Sequence, residues 1–139
     1  MAATDIVLSS TLKPPSGVNP NIVIAGEAIT AGMAVYRNPA DGKYYKALAT
    51  SVNSSTVAGI ALDSAVGVDQ PFLIFTGNGD LSNVSGLTVG APYFLSETTA
   101  GSLMRVADVG STDYICFCGS AKSATIFSAH FYTNGIQHA

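Results

Sequence analysis

Clusters of turn-forming residues recur along this chain at short intervals and leave room only for short segments between them. Gly26 and Gly32 are followed by Asn38-Pro39-Ala40-Asp41-Gly42, the polar stretch 51–55, Asp63-Ser64 and Gly77-Asn78-Gly79-Asp80. The intervening runs are rich in Thr, Val, Ile, Tyr and Phe, whose branched or flat side chains suit a pleated, half-buried surface. No stretch repeats apolar residues at i, i+3, i+4 and i+7 between caps. Short runs at this spacing predict an all-β sandwich or barrel, with any helix limited to a turn or two.

The runs place strands at 21–24, 33–37, 43–47, 56–61 and 71–76. Asp41-Gly42 supplies the positive φ that a tight hairpin needs, and residues 77–80 read as a turn. A second unit echoes the first. Thr30-Ala31-Gly32-Met33-Ala34-Val35-Tyr36 lines up with Thr88-Val89-Gly90-Ala91-Pro92-Tyr93-Phe94. Each is followed by a polar turn and a short strand carrying a basic residue, Lys43-Tyr44-Tyr45-Lys46 or Leu103-Met104-Arg105-Val106. Apolar strands follow at 56–61 and 114–118. The expectation is a single β domain over 21–139 with echoed units at 21–80 and 85–133. A last run, 124–133, would close the sheet or lie at its edge, alternating through Ile126, Ser128, His130 and Tyr132.

Residues 1–20 differ from this body. Pro14, Pro15 and Pro20 remove backbone donors that a central strand needs. The segment also carries Ile6, Val7, Leu8 and Leu12, which are poorly placed in free water. It is expected to be an extended arm outside the body, with these four side chains docking on another protein.

Composition narrows the function. A chain of 139 residues suits one domain, large enough to bury roughly two-thirds of its unfolded surface. Charged residues are 11%, against about 25% in an ordinary soluble domain. The net charge is −3, so there is no basic surplus to neutralise phosphates, and nucleic acid is not an expected partner. Mean hydropathy is +0.36, yet every apolar run falls short of the about 20 residues a spanning helix needs. No membrane partner is expected. The first ten residues carry Asp5 and no Lys or Arg, unlike a secretory leader. A chain this apolar and this weakly charged is expected to cover part of its surface with other chains.

No catalytic constellation emerges. There is no G-x-S-x-G elbow, and the two histidines, His130 and His138, lie in the last ten residues. The carboxylates sit singly, most of them beside Gly, Ser or Thr, where turn chemistry explains them. Gly77-Asn78-Gly79-Asp80 lacks the alternating ligands and terminal Glu of a calcium loop. Cys116 and Cys118 would share one face of a strand and read as small buried thiols. The chain is expected to be no enzyme, with no cofactor and no metal site. Tyr44 and Tyr45 are adjacent, so in a strand one of them faces outward.

The segments Gly26 to Tyr36, Asp41-Gly42-Lys43-Tyr44-Tyr45-Lys46-Ala47, Val57-Ala58-Gly59-Ile60-Ala61-Leu62 and Ser85 to Ser96 occur in an order that resembles the decoration, or cement, proteins of tailed-bacteriophage capsids. The resemblance spans roughly residues 22–128. It implies a compact β-barrel or β-tulip-like body, with a jelly roll as the alternative, and an extended N-terminal arm. It also implies a homotrimer, or a dimer in the jelly-roll case, bound to the major capsid protein on the outside of the virion. Assembly would take place in the host cytoplasm. The protein would brace the capsid lattice, and no catalytic residue comes with the family. The competing expectation is a head-fibre or tail-spike module that binds a host surface glycan.

Overall fold

A computed structural model of the chain describes residues 8, 12–13, 20–49, 54–76, 79–84, 87–96, 100–105 and 114–137. Among them there is strand, bridge and turn but no helix. Ten strands follow in order: β1 (Asn21–Ile24), β2 (Ala34–Arg37), β3 (Tyr44–Lys46), β4 (Gly59–Ala61), β5 (Pro71–Phe75), β6 (Gly79–Leu81), β7 (Pro92–Leu95), β8 (Leu103–Arg105), β9 (Tyr114–Ser123) and β10 (Ile126–Gln137). They form two antiparallel five-stranded sheets, ordered β1-β5-β4-β2-β3 and β6-β10-β9-β7-β8.

Adding five to each strand number of the first sheet reproduces the second, and the agreement extends to register. Val35 lies opposite Lys46 and Tyr93 opposite Arg105. Val35 also lies opposite Gly59, and Tyr93 opposite Gly119. Ala61 pairs with Ile74, and Ala121 with Phe127. Even the turns leading in match. The amide of Met33 donates to the Thr30 carbonyl at 3.2 Å and that of Ala91 to Thr88 at 3.1 Å. Gly32 and Gly90 stand inside these turns at φ of 95° and 79°, a backbone region that side chains disfavour. Gly59 and Gly119 lie where a Cβ would strike the backbone of the neighbouring strand, at Phe75 and Ser128 respectively.

The two sheets share one core. Ala34, Ile60 and Phe75 project from one face of the first sheet into a buried cluster with Leu81, Tyr93, Leu95, Leu103, Cys116, Cys118, Ala121, Phe127 and Ala129 of the second. The alternate residues Val35, Ala61 and Ile74 point the other way. They form a smaller cluster with Phe72 and with Ala25, Ile29 and Ala65 from the connecting loops. The first sheet is therefore buried on both faces. Backbone hydrogen bonds from Ala34 to Gly101, from Gly101 to Ala47 and from Ala49 to Ser96, at 3.0, 2.7 and 3.0 Å, tie it to the β7–β8 hairpin.

Three expectations change. Both sheets are open, and no closed barrel forms among the described residues; only a single parallel bridge, Ala25 to Tyr44, draws the two edges of the first sheet together. Gly79 and Asp80, expected as turn, belong to β6 and open the second sheet, so that sheet begins at 79 rather than 85. The ladder to β10 supplies the pairing that their local preference opposes. β10 is interior, flanked by β6 and β9. Of its described side chains, Phe127 and Ala129 are buried, and a register shift beyond Ala129 breaks the simple alternation.

Candidate functional site

Four of the five exposed large apolar side chains among the described residues gather at one rim of the first sheet. Ile22 and Ile24 are 73% and 41% exposed on β1, and Val66 and Val68 are exposed in the turn that leads into β5. That turn folds back on the end of β1: Ala25 donates to the Gln70 carbonyl at 2.9 Å, and Asp69 donates to the Ala25 carbonyl at 2.8 Å. Ile22 and Ile24 share a face, while Val23 between them packs on the smaller core. The fifth exposed residue, Val89, occupies the place that buried Ala31 holds in the first unit.

The edge strands of the two sheets are treated differently. β6 continues to Ser82, which exchanges two backbone hydrogen bonds with Lys13, both 2.9 Å. The N-terminal segment thus adds itself to the edge of the second sheet. β1 occupies the equivalent edge of the first sheet and, among the described residues, pairs with β5 alone, apart from the bridge at Ala25.

This segment also alters the expectation for residues 1–20. Leu8 and Leu12 are 2% and 5% exposed and belong to the shared core of the chain itself. The carbonyl of Leu8 sits where a side chain on Gly32 would go. Side chains buried in their own chain have no surface left to offer a capsid, so the docking expectation is corrected for these two. An extended segment needs no regular ladder to bury its apolar residues, which is why the prolines misled. Ile6 and Val7 lie outside the described residues.

A polar and aromatic cluster surrounds the β2–β3 hairpin. The hairpin closes as its sequence predicts, with Gly42 at φ 74° donating to the Asn38 carbonyl at 2.8 Å. The Tyr45 hydroxyl donates to Asp41 at 2.6 Å, and its ring lies 6.1 Å from that of Tyr36. Tyr44, facing the other way, packs against the smaller core. Asp41 is held below the usual carboxylate range, chiefly by the Tyr45 hydroxyl and then by the Lys43 amide. Tyr36 is pushed above its ordinary value by burial and by the charges of Glu27 and Asp41. Glu27 accepts from the Lys46 amide at 2.9 Å, and Lys43 pairs with Asp69 at 2.6 Å.

The thiols and the imidazole are kept apart. Cys116 and Cys118 are buried in the shared core, with no disulfide between them. The Cys118 thiol is pushed well above its ordinary value by its hydrogen bond with Cys116 and by burial. His130 is exposed beside Phe117, whose ring also stacks edge-on against Phe94. No cluster of three His, Cys, Asp or Glu that could hold a metal occurs among the described residues. No helix among them is long and apolar enough to cross a membrane.

No family model matches the chain, and no curated protein matches it. The sequence did not single out the rim of Ile22, Ile24, Val66 and Val68. Its signal was present in Ile22-Val23-Ile24, a strand apolar on both faces, where a half-exposed strand would alternate with polar residues.

Proposed function

We propose that the chain is a structural virion protein, a decoration or cement protein that binds the outer surface of a tailed-phage head and stabilises its lattice. The observation that carries this reading is the concentration of exposed apolar side chains on one rim of an all-β body poor in charge. Such a rim suits contact with other protein. The partners are the major capsid protein and further copies of the chain, as a homotrimer or a dimer. It acts without catalysis on the virion surface and is made in the host cytoplasm. A protein that binds only the mature lattice stabilises it by mass action, and many weak sites repeated over a shell add up.

The test is co-sedimentation of the purified protein with expanded and unexpanded heads. Saturable binding to expanded heads, with release of their DNA shifted to higher temperature, is expected. No binding to either would overturn the reading.

One observation favours a second reading, a fibre or spike module for a host glycan. Tyr36 and Tyr45 lie together beside Asp41 and Glu27, and sugar rings stack on aromatic faces while carboxylates accept from their hydroxyls. Binding to a glycan panel that is lost in Tyr45→Ala, with head binding absent, would favour it over the first.

A further inference from the structure

We propose that the N-terminal segment is exchanged between copies of the chain. In the monomer Leu8, Leu12 and Lys13 dock on their own body; in the assembled protein they fill the same site on the next copy. The inference rests on the self-association of the proposed decoration protein.

The segment is held in the way an added strand is held. Lys13 and Ser82 exchange two backbone hydrogen bonds, both 2.9 Å. Leu8 and Leu12 are buried in the shared core, and the Leu8 carbonyl occupies the space that Gly32 leaves by lacking a side chain. The receiving groups are Gly32, Ser82 and the core residues from Ala31 onward. All of them follow β1 in the chain, so a second copy presents the same site in the same geometry. Main-chain pairing at a sheet edge, with apolar anchors seated beside it, is a general way for a protein to accept a strand from another molecule. Exchange breaks and remakes one set of contacts. The balance between the two forms is therefore set chiefly by the joint between the segment and β1.

The sequence of that joint favours the neighbour. Only residues 14–19 separate Lys13 from Pro20. At roughly 3.5 Å per residue, the stretch from Lys13 to Pro20 reaches about 25 Å at most. Such a short joint invites exchange. Lys13, Pro14 and Asn19 each precede a proline, and a residue in that place is biased towards extended backbone. Prolines make a linker a semi-rigid spacer. A spacer that resists folding back lowers the effective concentration of the segment at its own site. The closed monomer is thus the dilute form, and the exchanged assembly forms where copies are held close together, as they are on a lattice. Each crossing ties two copies through a buried core.

The experiment uses full chains with single cysteines and two different tags, coexpressed and then mildly oxidised from micromolar to millimolar concentration. Residues that exchange both hydrogen bonds across an antiparallel pair have Cα atoms about 5.5 Å apart, within disulfide range. Lys13→Cys with Ser82→Cys is expected to give a covalent heterodimer at high concentration. Only an exchanged segment brings Lys13 beside Ser82 of the partner subunit. Both cysteines in one chain are expected to give an internally closed monomer when dilute, and covalent dimers or trimers when concentrated. Lys13→Cys with Val66→Cys, exposed on the rim of the first sheet, is expected to give no heterodimer. Cys116 and Cys118 are buried and do not compete. Pro14→Gly with Pro15→Gly is expected to shift the equilibrium at least tenfold towards monomer with the dichroism spectrum unchanged. Absence of an intermolecular link between positions 13 and 82 at every concentration would overturn exchange. So would a Val66→Cys link formed as readily as the Ser82→Cys one, or unaltered association in the glycine variant. A dimer or trimer lacking the link would also overturn it, while leaving the capsid reading to its own head-binding test.

Discussion

The two sheets share strand order and register but not surroundings. In the first, Ala34, Ile60 and Phe75 are buried in the shared core, and Val35, Ala61 and Ile74 fill a second core behind them. At the matching places the second sheet carries Pro92, Ser120 and Ser128 on one face, all half-buried, and Tyr93, Ala121 and Phe127 on the other, all in the shared core. The ladder and its glycines thus specify the unit. The side chains on the outer face decide whether it lies inside a stack or at its end. The edges are reversed: the second sheet has its edge joined by the N-terminal segment, while β1 of the first pairs, among the described residues, only with β5 and at the Ala25 bridge.

Paired substitutions sharpen that contrast. Ile60→Ala is expected to cost about 2–5 kcal/mol, as a cavity in a closed core does. Its counterpart Ser120→Ala should stay within about 0.5 kcal/mol. Equal effects in urea melts would break the assignment of inner and outer faces. Leu8→Ala should cost about 2–4 kcal/mol, and deleting residues 2–13 should lower the melting temperature sharply. A deletion that melts like the full chain would return Leu8 and Leu12 to the role of a free arm.

The two turn glycines give a smaller contrast. Gly32→Ala meets the Leu8 carbonyl as well as an unfavourable φ. A loss of about 3 kcal/mol is expected from strain and overpacking together. Gly90→Ala has open space around it and should lose about 1 kcal/mol, from backbone strain alone.

The smallest effect is electrostatic. Asp41 and Asp80 are both held below the usual carboxylate range, by Tyr45 in the first sheet and by Lys122 in the second. A lowered folded-state value contributes stability that is complete above the unfolded value, about 4. That contribution is lost as pH falls through the folded value. Asp41→Asn and Asp80→Asn should therefore flatten the loss of stability below about pH 4, and, because Asp41 holds Tyr45 and Asp80 holds Lys122 above their ordinary values, flatten the alkaline loss as well.

Local chemistry made much of the fold legible. Asp41-Gly42 marked the hairpin, and Thr30 to Tyr36 matched Thr88 to Phe94 because the same turn, with glycine in the same place, opens β2 and β7. What stayed hidden depends on distant partners. Gly79-Asp80 has turn preferences and becomes strand only because β10 lies beside it. Leu8 reads as part of an arm until Gly32 provides the gap that admits its backbone. The rim at Ile22 was hidden for the same reason, since burial of a strand face is set by what covers it.

Amide hydrogen exchange at Ser82 and Ile22 tests the central claim most directly, namely that one unit is used twice with one edge joined and one left open. In dilute protein the account predicts a protected Ser82 amide, bonded to Lys13, and a rapidly exchanging Ile22 amide. Equal protection at the two positions in the dilute monomer would contradict it.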